Sequence, residues 1–363
     1  LAVAAAALNH TPELILPYLM TADSFPSLGP RFHCSLAGWD LDPAPWQASL
    51  EQHGVLEKGL WVPYADVLDA FSVRPAVDSG QSLEDQVQSL KKDITIWKTE
   101  YPGFDPVFVN LLPAGVCHDL ARFSSQKELY AAKTGGSTPD LAYVLAALES
   151  RIPVINFTPN EVEIPAVLEA AKTHQVPLGG RDGKTGQTYF KIVLASAFRA
   201  RNLPVNGWYS LNILGNRDGA NLMDPEHAAC KLSNKTDVLE NVLGYQPGRE
   251  AFGDSAHKVR IDYYPPRGDA KEAWDVIDFE GIFGLPMSLR MNLQGRDSIL
   301  AAPMVLDLAR WMCVLQQAGR SGLITELALY FKKTFGQTTP ADFAGQIALL
   351  KELERSCGAS QDY

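Results

Sequence analysis

Cysteine is scarce in this chain of 363 residues: five are present, Cys34, Cys117, Cys230, Cys313 and Cys357, scattered and without a C-x-x-C pair. That argues against a disulfide framework and a structural zinc site, and it fits a reducing cytosol. Histidine is equally thin, with seven dispersed residues and no H-E-x-x-H, so no metal site is expected. Basic runs of five or more are absent, and Lys+Arg 32 against Asp+Glu 42 leave a net charge of −10. Neither nucleic acid nor an anionic membrane is an expected partner of such a chain, and any basic cluster that holds an anion must be local. No uninterrupted apolar stretch has the length of a membrane span; the best, Ala301–Leu315, is broken by Asp307 and Arg310. The opening Leu-Ala-Val-Ala-Ala-Ala-Ala-Leu has no basic flank and runs on into polar residues, so it reads as the body of an Ala-rich helix and not as a signal peptide.

What is there is ordinary globular composition, 46% hydrophobic and 20% charged. The length exceeds what one core usually supports, which predicts two domains or one with a large insertion. Short apolar runs alternate with helical patterns. Phe32–Leu41, Asp105–Leu112, Ile152–Phe157 and Val176–Gly180 read as strands. Leu141–Glu149, with Thr138 as cap and Pro139 at the first helical position, and Pro165–His174 read as helices. Strands separated by helices predict βαβ units and a parallel sheet. From about Tyr189 the pattern changes: Val205–Leu214 and Lys258–Tyr264 alternate like antiparallel strands with one wet face, and Ile299–Phe331 is strongly helical.

Four constellations carry chemistry. Asp40 ends a strand, where an acid can bond both ribose hydroxyls of NAD, although an acid there is more often a turn or cap residue. The Gly-rich turn that should precede such an acid is not found between Leu1 and Asp40, so it lies before Leu1 or the fold is not a dinucleotide fold. Gly179–Thr188 (GGRDGKTGQT) follows a strand and opens a helix, an arrangement that holds an anion through free N–H groups and hydroxyls. It is not a Walker A loop, because the first glycine of that motif would have to stand at Leu178. Gly215–Leu222 (GNRDGANL) is either a tight surface turn or a site for a polar ligand. Lys231 and Lys235 stand four apart and share a face on a helix, either a solvated one or part of a site with Lys271 and Lys332.

Together these segments resemble the myo-inositol-1-phosphate synthase (inositol-3-phosphate synthase) family, in a short archaeal or bacterial-like form. The strings that carry it are GWD at 38–40, INFTPN at 155–160, GRDGKTGQT at 180–188, LGNRDGANL at 214–222, KLSNK at 231–235, DYYPPRGDAK at 262–271, GRDSILAAPMVLDLAR at 295–310 and LYFKK at 329–333. The resemblance implies a Rossmann-type doubly wound α/β fold with an inserted α+β catalytic and tetramerisation domain. The expected division is 1–188 for the NAD-binding domain, 189–296 for the insertion and 297–363 for a C-terminal return. It implies an isomerase that converts D-glucose 6-phosphate to 1L-myo-inositol 1-phosphate, with NAD as a catalytic cofactor, usually as a cytoplasmic homotetramer. By position, Asp40 matches the acid on the adenosine ribose. Asp182, Asn216, Asp218, Asp297 and Ser298 match polar residues near the cofactor. Lys184, Thr185, Gly186, Gln187 and Thr188 match the loop for the substrate phosphate. Lys231, Lys235, Lys271 and Lys332 match the active-site lysines. Leu1–Asn9 matches the helix after the family's Gly-rich turn, so the first strand and that turn are expected upstream, and activity is expected of the intact chain.

The implied reaction has four stages: oxidation at C5, enolisation at C6, aldol closure of C6 onto C1, and reduction at C5. Negative charge develops on two oxygens in turn beside a phosphate dianion, and ammonium groups in a sheltered site stabilise it. This reading gives Lys231 the proton of the C5 hydroxyl, Lys271 and Lys332 the developing oxyanions, and Lys235 the phosphate. The alternatives are a non-catalytic sugar-phosphate-binding relative and an NAD-dependent oxidoreductase of a phosphorylated substrate.

Overall fold

The computed structural model describes residues 1–29, 32–41, 43–116, 119–132, 139–227 and 238–358. Lys231, Lys235 and the expected cap Thr138 lie outside them. In chain order the elements that matter for the site are helix α1 (Ala2–His10), strands β1 (Ala37–Asp40) and β2 (Ser72–Pro75), α2 (Leu83–Glu100), β3 (Phe108–Asn110), α3 (Pro139–Glu149), β4 (Val154–Asn156), α4 (Pro165–Thr173), β5 (Pro177–Gly180), α5 (Gln187–Ala200), β6 (Val205–Leu214), α6 (Arg217–Asn221), β7 (His257–Tyr263), β8 (Lys271–Glu280), β9 (Pro286–Gly295), α7 (Asp297–Gln317), β10 (Gly322–Leu323) and α8 (Phe343–Gly358).

Strands β10, β5, β4 and β3 form, in that order, a parallel sheet. Side chains in a strand alternate between faces, and here each face has its own core. Phe108, Val154 and Leu178 pack with Leu90, Leu141, Leu145 and Val167 from α2, α3 and α4. Val109 and Ile155 pack the other way, with Leu308, Trp311 and Met312 of α7 and Leu350 of α8. Two buried faces explain why these strands read as nearly continuous apolar runs, and helices on both sides make the doubly wound α/β layer. Helix α2 shows the local logic. Ser82 Oγ accepts the Asp85 N–H at 3.2 Å, Glu84 and Asp85 fill the first turn, and Leu83, Val87, Leu90, Ile94 and Trp97 recur on one buried face. The parallel pair β1–β2 is joined to this layer through Trp39, whose ring lies 4.6 Å from that of Trp97, 5.3 Å from Tyr143 and 6.5 Å from Phe108.

The strands are shorter than expected. Phe32–Leu41 pairs only over Ala37–Asp40, and Asp105–Leu112 only over Phe108–Asn110. Pro106 and Pro113 lack the N–H that a ladder needs. The helical reading of Ile299–Phe331 holds to Gln317. Gly319 and Gly322 then take φ of +69° and +75° and turn the chain into β10, so a C-terminal segment returns to pair with β5.

Helix α7 has a mean hydropathy of 1.6 over its most apolar 18-residue window and is long and apolar enough by composition to cross a membrane, which the sequence reading did not anticipate. Its context is that of a core helix: Leu308, Trp311, Met312 and Leu315 are fully buried. Its Asp307 accepts from the N–H of Met20 at 3.0 Å and from the N–H and hydroxyl of Thr21 at 2.9 and 2.6 Å.

The second sheet runs β7-β6-β8-β9. The antiparallel expectation holds for Val205–Leu214, since β6 runs antiparallel to β8, but not for Lys258–Tyr264, since β7 pairs with β6 in parallel; β8 is also antiparallel to β9. The reason is the connection. Forty-two residues, 215–256, separate β6 from β7 and allow a crossover, whereas β8 and β9 are joined by a short turn. One face of this sheet, with Trp208 and Ile277, packs on Ile192, Ala195 and Phe198 of α5. The other face leaves Tyr209 and Trp274 nearly half exposed, and the β8–β9 turn presents Ile282, Phe283 and Leu285 to solvent.

Candidate active site

The carboxyl ends of β3, β4 and β5 open onto one cavity of about 590 Å³, within the usual range of small-molecule sites. In an open α/β sheet the crevice beyond the strand ends is where ligands bind. The loops that leave these strands form its walls: Leu111–Ala114 after β3, Phe157–Pro159 after β4 and Asp182–Gly186 after β5. The second sheet closes it through α6, Lys271 at the start of β8 and the first turn of α7.

The loop after β5 is clamped on both sides. Asp182 N–H donates to Thr158 O at 3.0 Å and Gly183 N–H to Phe157 O at 3.1 Å; Lys184 N–H donates to Tyr330 O at 2.8 Å and Lys332 N–H to Asp182 O at 2.7 Å. Gly183 is obligatory here, because a Cβ at that position would stand 2.2 Å from Phe157 Cζ. Asp182 itself holds φ +67°, the left-handed region. This clamp carries Lys332, far away in sequence, to Asp182: Nζ lies 2.6 Å from Oδ1, with side chains 11% and 4% exposed. Burial pulls the Lys332 pKa down, but the carboxylates of Asp182, Asp297 and Asp218 outweigh it and the net shift is upward, so the ammonium stays charged.

A second pair sits opposite. Lys271 Nζ lies 2.8 Å from Asp297 Oδ2, and Asp297 Oδ1 accepts from Thr185 Oγ1 at 3.0 Å. Burial raises the Asp297 pKa, while Lys271, Lys332 and the Thr185 hydroxyl lower it to a net value of about 2. As the first residue of α7, Asp297 also stands where a helix favours negative charge. Two ammonium groups, each oriented by a carboxylate, therefore border one space, and both can hydrogen-bond an oxyanion that forms there. Among the cavity's three lysine or arginine side chains, Lys271, Lys332 and Arg217, only Arg217 has neither an ion pair nor a hydrogen bond among the described residues.

Of the residues singled out in the sequence, Asp182, Thr185, Gly186, Gln187, Thr188, Asp218, Lys271, Asp297, Ser298 and Lys332 line this cavity. Others do not. Lys184 turns inward: its ammonium donates to Gln346 Oε1 at 2.8 Å and to Ala328 O at 3.3 Å, and burial lowers its pKa to about 7. Asn216 caps α6 by accepting the Gly219 N–H at 3.1 Å, so the segment 215–222 is a short capped helix and not a bare turn. Asp40 is exposed at the end of β1 and does not border the cavity.

The sequence reading missed a buried polar chain beneath the cavity wall. Asn160 Nδ2 donates to Asp140 Oδ1 at 3.0 Å and to Pro113 O at 2.9 Å, while its Oδ1 accepts the Gly115 N–H at 2.9 Å. Asn110 donates to Asp140 at 2.7 Å, and Asn156 donates to Glu163 at 2.8 Å. Glu163, whose pKa burial raises against the pull of Arg181, accepts Arg181 Nε at 3.0 Å. This chain holds the loops after β3, β4 and β5 in fixed relation. The available signal was an Asn ending each of two apolar strands, Asn110 and Asn156.

Comparison with known proteins agrees with this architecture. The family described as Myo-inositol-1-phosphate synthase matches residues 186–298. The "Inositol-3-phosphate synthase 1" of Bacteroides thetaiotaomicron is 45% identical over 196 residues, 54% of this chain and 46% of that protein. The crystal structure of inositol-3-phosphate synthase from Caenorhabditis elegans superposes with a TM-score of 0.78 at 20% identity, covering 89% of this chain and 70% of that one. A myo-inositol-1-phosphate synthase-related protein from Thermotoga maritima superposes with a TM-score of 0.76 at 22% identity, covering 98% and 94%. At these identities the two structures establish the fold. The matches span about half the length of the curated relatives, 46% of the bacterial protein and 52% of the human one. Residues 186–298 thus match the myo-inositol-1-phosphate synthase family, the bacterial relative is similar over about half of this chain, and the two solved structures share its fold.

Proposed function

We propose that this protein is an NAD-dependent isomerase that converts D-glucose 6-phosphate to 1L-myo-inositol 1-phosphate. The observation that carries the reading is the convergence of Lys271 and Lys332, each paired with an aspartate, on the same cavity as the loop Thr185–Thr188.

The residues present suit the cofactor. The cavity lies beyond the strand ends, and Asp182, Asp218 and Ser298 line it with acceptor oxygens suited to a carboxamide such as that of nicotinamide. Asp182, Asp218 and Ser298 would hold the nicotinamide end and Asp40 the adenosine ribose. Bound NAD supplies a hydride acceptor that later returns the hydride.

The rest belongs to the chain's own residues. Helix α5 starts at Gln187 without a side-chain cap, so its first N–H groups and the hydroxyls of Thr185 and Thr188 are available to the substrate phosphate. Lys271 and Lys332 stabilise the oxygens that become negative during enolisation and ring closure. Lys231 takes and returns the C5 hydroxyl proton and Lys235 balances the phosphate. The exposed face of the second sheet, with Tyr209 and Trp274, and the apolar β8–β9 turn supply the area for a homotetramer. Five scattered cysteines fit a reducing cytoplasm.

The test is incubation of the protein, expressed from its complete reading frame, with glucose 6-phosphate and catalytic NAD. Inositol phosphate is read by chromatography and NADH by absorbance. Product without net NADH supports the isomerase; steady NADH indicates an ordinary oxidoreductase, and binding without conversion indicates a non-catalytic relative.

A further inference from the structure

Gln187 lines the cavity as the first residue of α5 and is only 4% exposed. Its amide nitrogen donates to Asp275 Oδ2 at 2.8 Å. Asp275, on β8 beneath α5, is 1% exposed, and its other oxygen accepts from Trp208 Nε1 at 2.7 Å and from Ser210 Oγ at 2.5 Å. One turn along α5 from Gln187, Lys191 is buried as well, with Nζ placed 2.9 Å from His257 Nε2. Three converging donors meet the two oxygens of Asp275, which acts as the acceptor in each of these bonds.

That settles the polarity of the glutamine amide. Only its NH₂ end can face Asp275, so the carbonyl Oε1 is turned elsewhere. No donor among the described residues reaches Oε1, and it is not among the sealed polar atoms, so it opens to the cavity that Gln187 lines. An exposed amide oxygen cannot bind a phosphate oxygen, since both are acceptors. Phosphate can be met at this position only by the backbone N–H.

We propose that Gln187 reads a hydroxyl of the bound sugar phosphate through Oε1, and that Asp275 is the positioning residue that fixes this polarity. The inference deepens the proposed function and rests on it for the identity of the sugar. A site built to accept from a hydroxyl rejects the analogue that lacks it, because the buried acceptor is then left unpaired.

The experiment measures binding to the cofactor-free protein by calorimetry, with inorganic phosphate, glucose 6-phosphate and its 2-, 3- and 4-deoxy analogues. In the wild type, one deoxy analogue is expected to bind about ten- to a hundredfold more weakly than glucose 6-phosphate. In Gln187→Met, which keeps the volume, that discrimination falls to within about twofold while inorganic phosphate binds as in the wild type. Asp275→Asn, which lets the amide turn over, weakens the same discrimination and no other; if it does not fold, Gln187→Met decides alone. Equal binding of all deoxy analogues by the wild type, or discrimination that persists in Gln187→Met, overturns this inference alone. Failure of the wild type to bind glucose 6-phosphate at all overturns it together with the proposed function.

Discussion

Replacing Lys332 by Met separates two jobs assigned to one ammonium. Methionine keeps the length and the apolar stem but removes the charge. Lys332 Nζ is 2.6 Å from Asp182 Oδ1, the aspartate side chain is 4% exposed, and no donor among the described residues reaches its Oδ2. Lys332→Met therefore strands a buried carboxylate, at a cost of about 3–5 kcal/mol. Lys332→Met with Asp182→Asn removes both charges and should recover about 2–3 kcal/mol of that, since losing a buried pair together costs far less than orphaning one member. Urea unfolding midpoints at unchanged m-value measure both. Turnover should behave differently. The single variant loses about 10²–10³ in kcat, and the double variant regains none of it, because an amide beside a thioether does not restore the oxyanion donor. A Lys332→Met protein as stable as the wild type would refute the buried-pair argument, and recovered turnover in the double variant would show that Lys332 serves only to neutralise Asp182.

Lys184 gives a pH dependence with a definite sign. Its pKa falls from 10.5 in the open chain to about 7 on burial, so between these values the unfolded state holds the extra proton and stability rises with pH. Unfolding midpoints at pH 7, 8 and 9 should climb in the wild type, and climb less in Lys184→Met. Gly183→Ala puts a Cβ 2.2 Å from Phe157 Cζ, so the loop must move; inorganic phosphate binding should weaken at least tenfold in a protein that still folds. Asn160→Asp sets a carboxylate against Asp140 in place of a donor now 3.0 Å away, and should cost about 3 kcal/mol by urea unfolding and loosen the wall at Pro113–Gly115.

The parallel layer was legible because its code is local. Val154–Asn156 and Pro177–Gly180 sit between amphipathic helices, and each apolar run could be matched to a period. The pairing of β6 with β7 was not, because alternation marks a strand but says nothing about direction, which the long connection decided. At the site, the sequence named the residues but not their neighbours. Lys332 meets Asp182 because the backbone of 330–333 bonds to the loop at 181–184, a contact between distant segments that no spacing announces. Lys184 was misplaced for a related reason: a lysine in a glycine-rich loop is read as a phosphate ligand, while its true partners, Ala328 and Gln346, stand far along the chain. The asparagines of the buried chain were passed over because one polar residue at a strand end looks like punctuation until its partners are in view.

The central claim is that one cavity removes a hydride from its substrate and gives the same hydride back. It is tested most directly with glucose 6-phosphate deuterated at C5, incubated with the protein and unlabelled NAD in ordinary water. The account predicts inositol phosphate that keeps the deuterium, with no NADH or labelled NADH released to solution. Product that has lost the label, or label accumulating in free NADH, would contradict it.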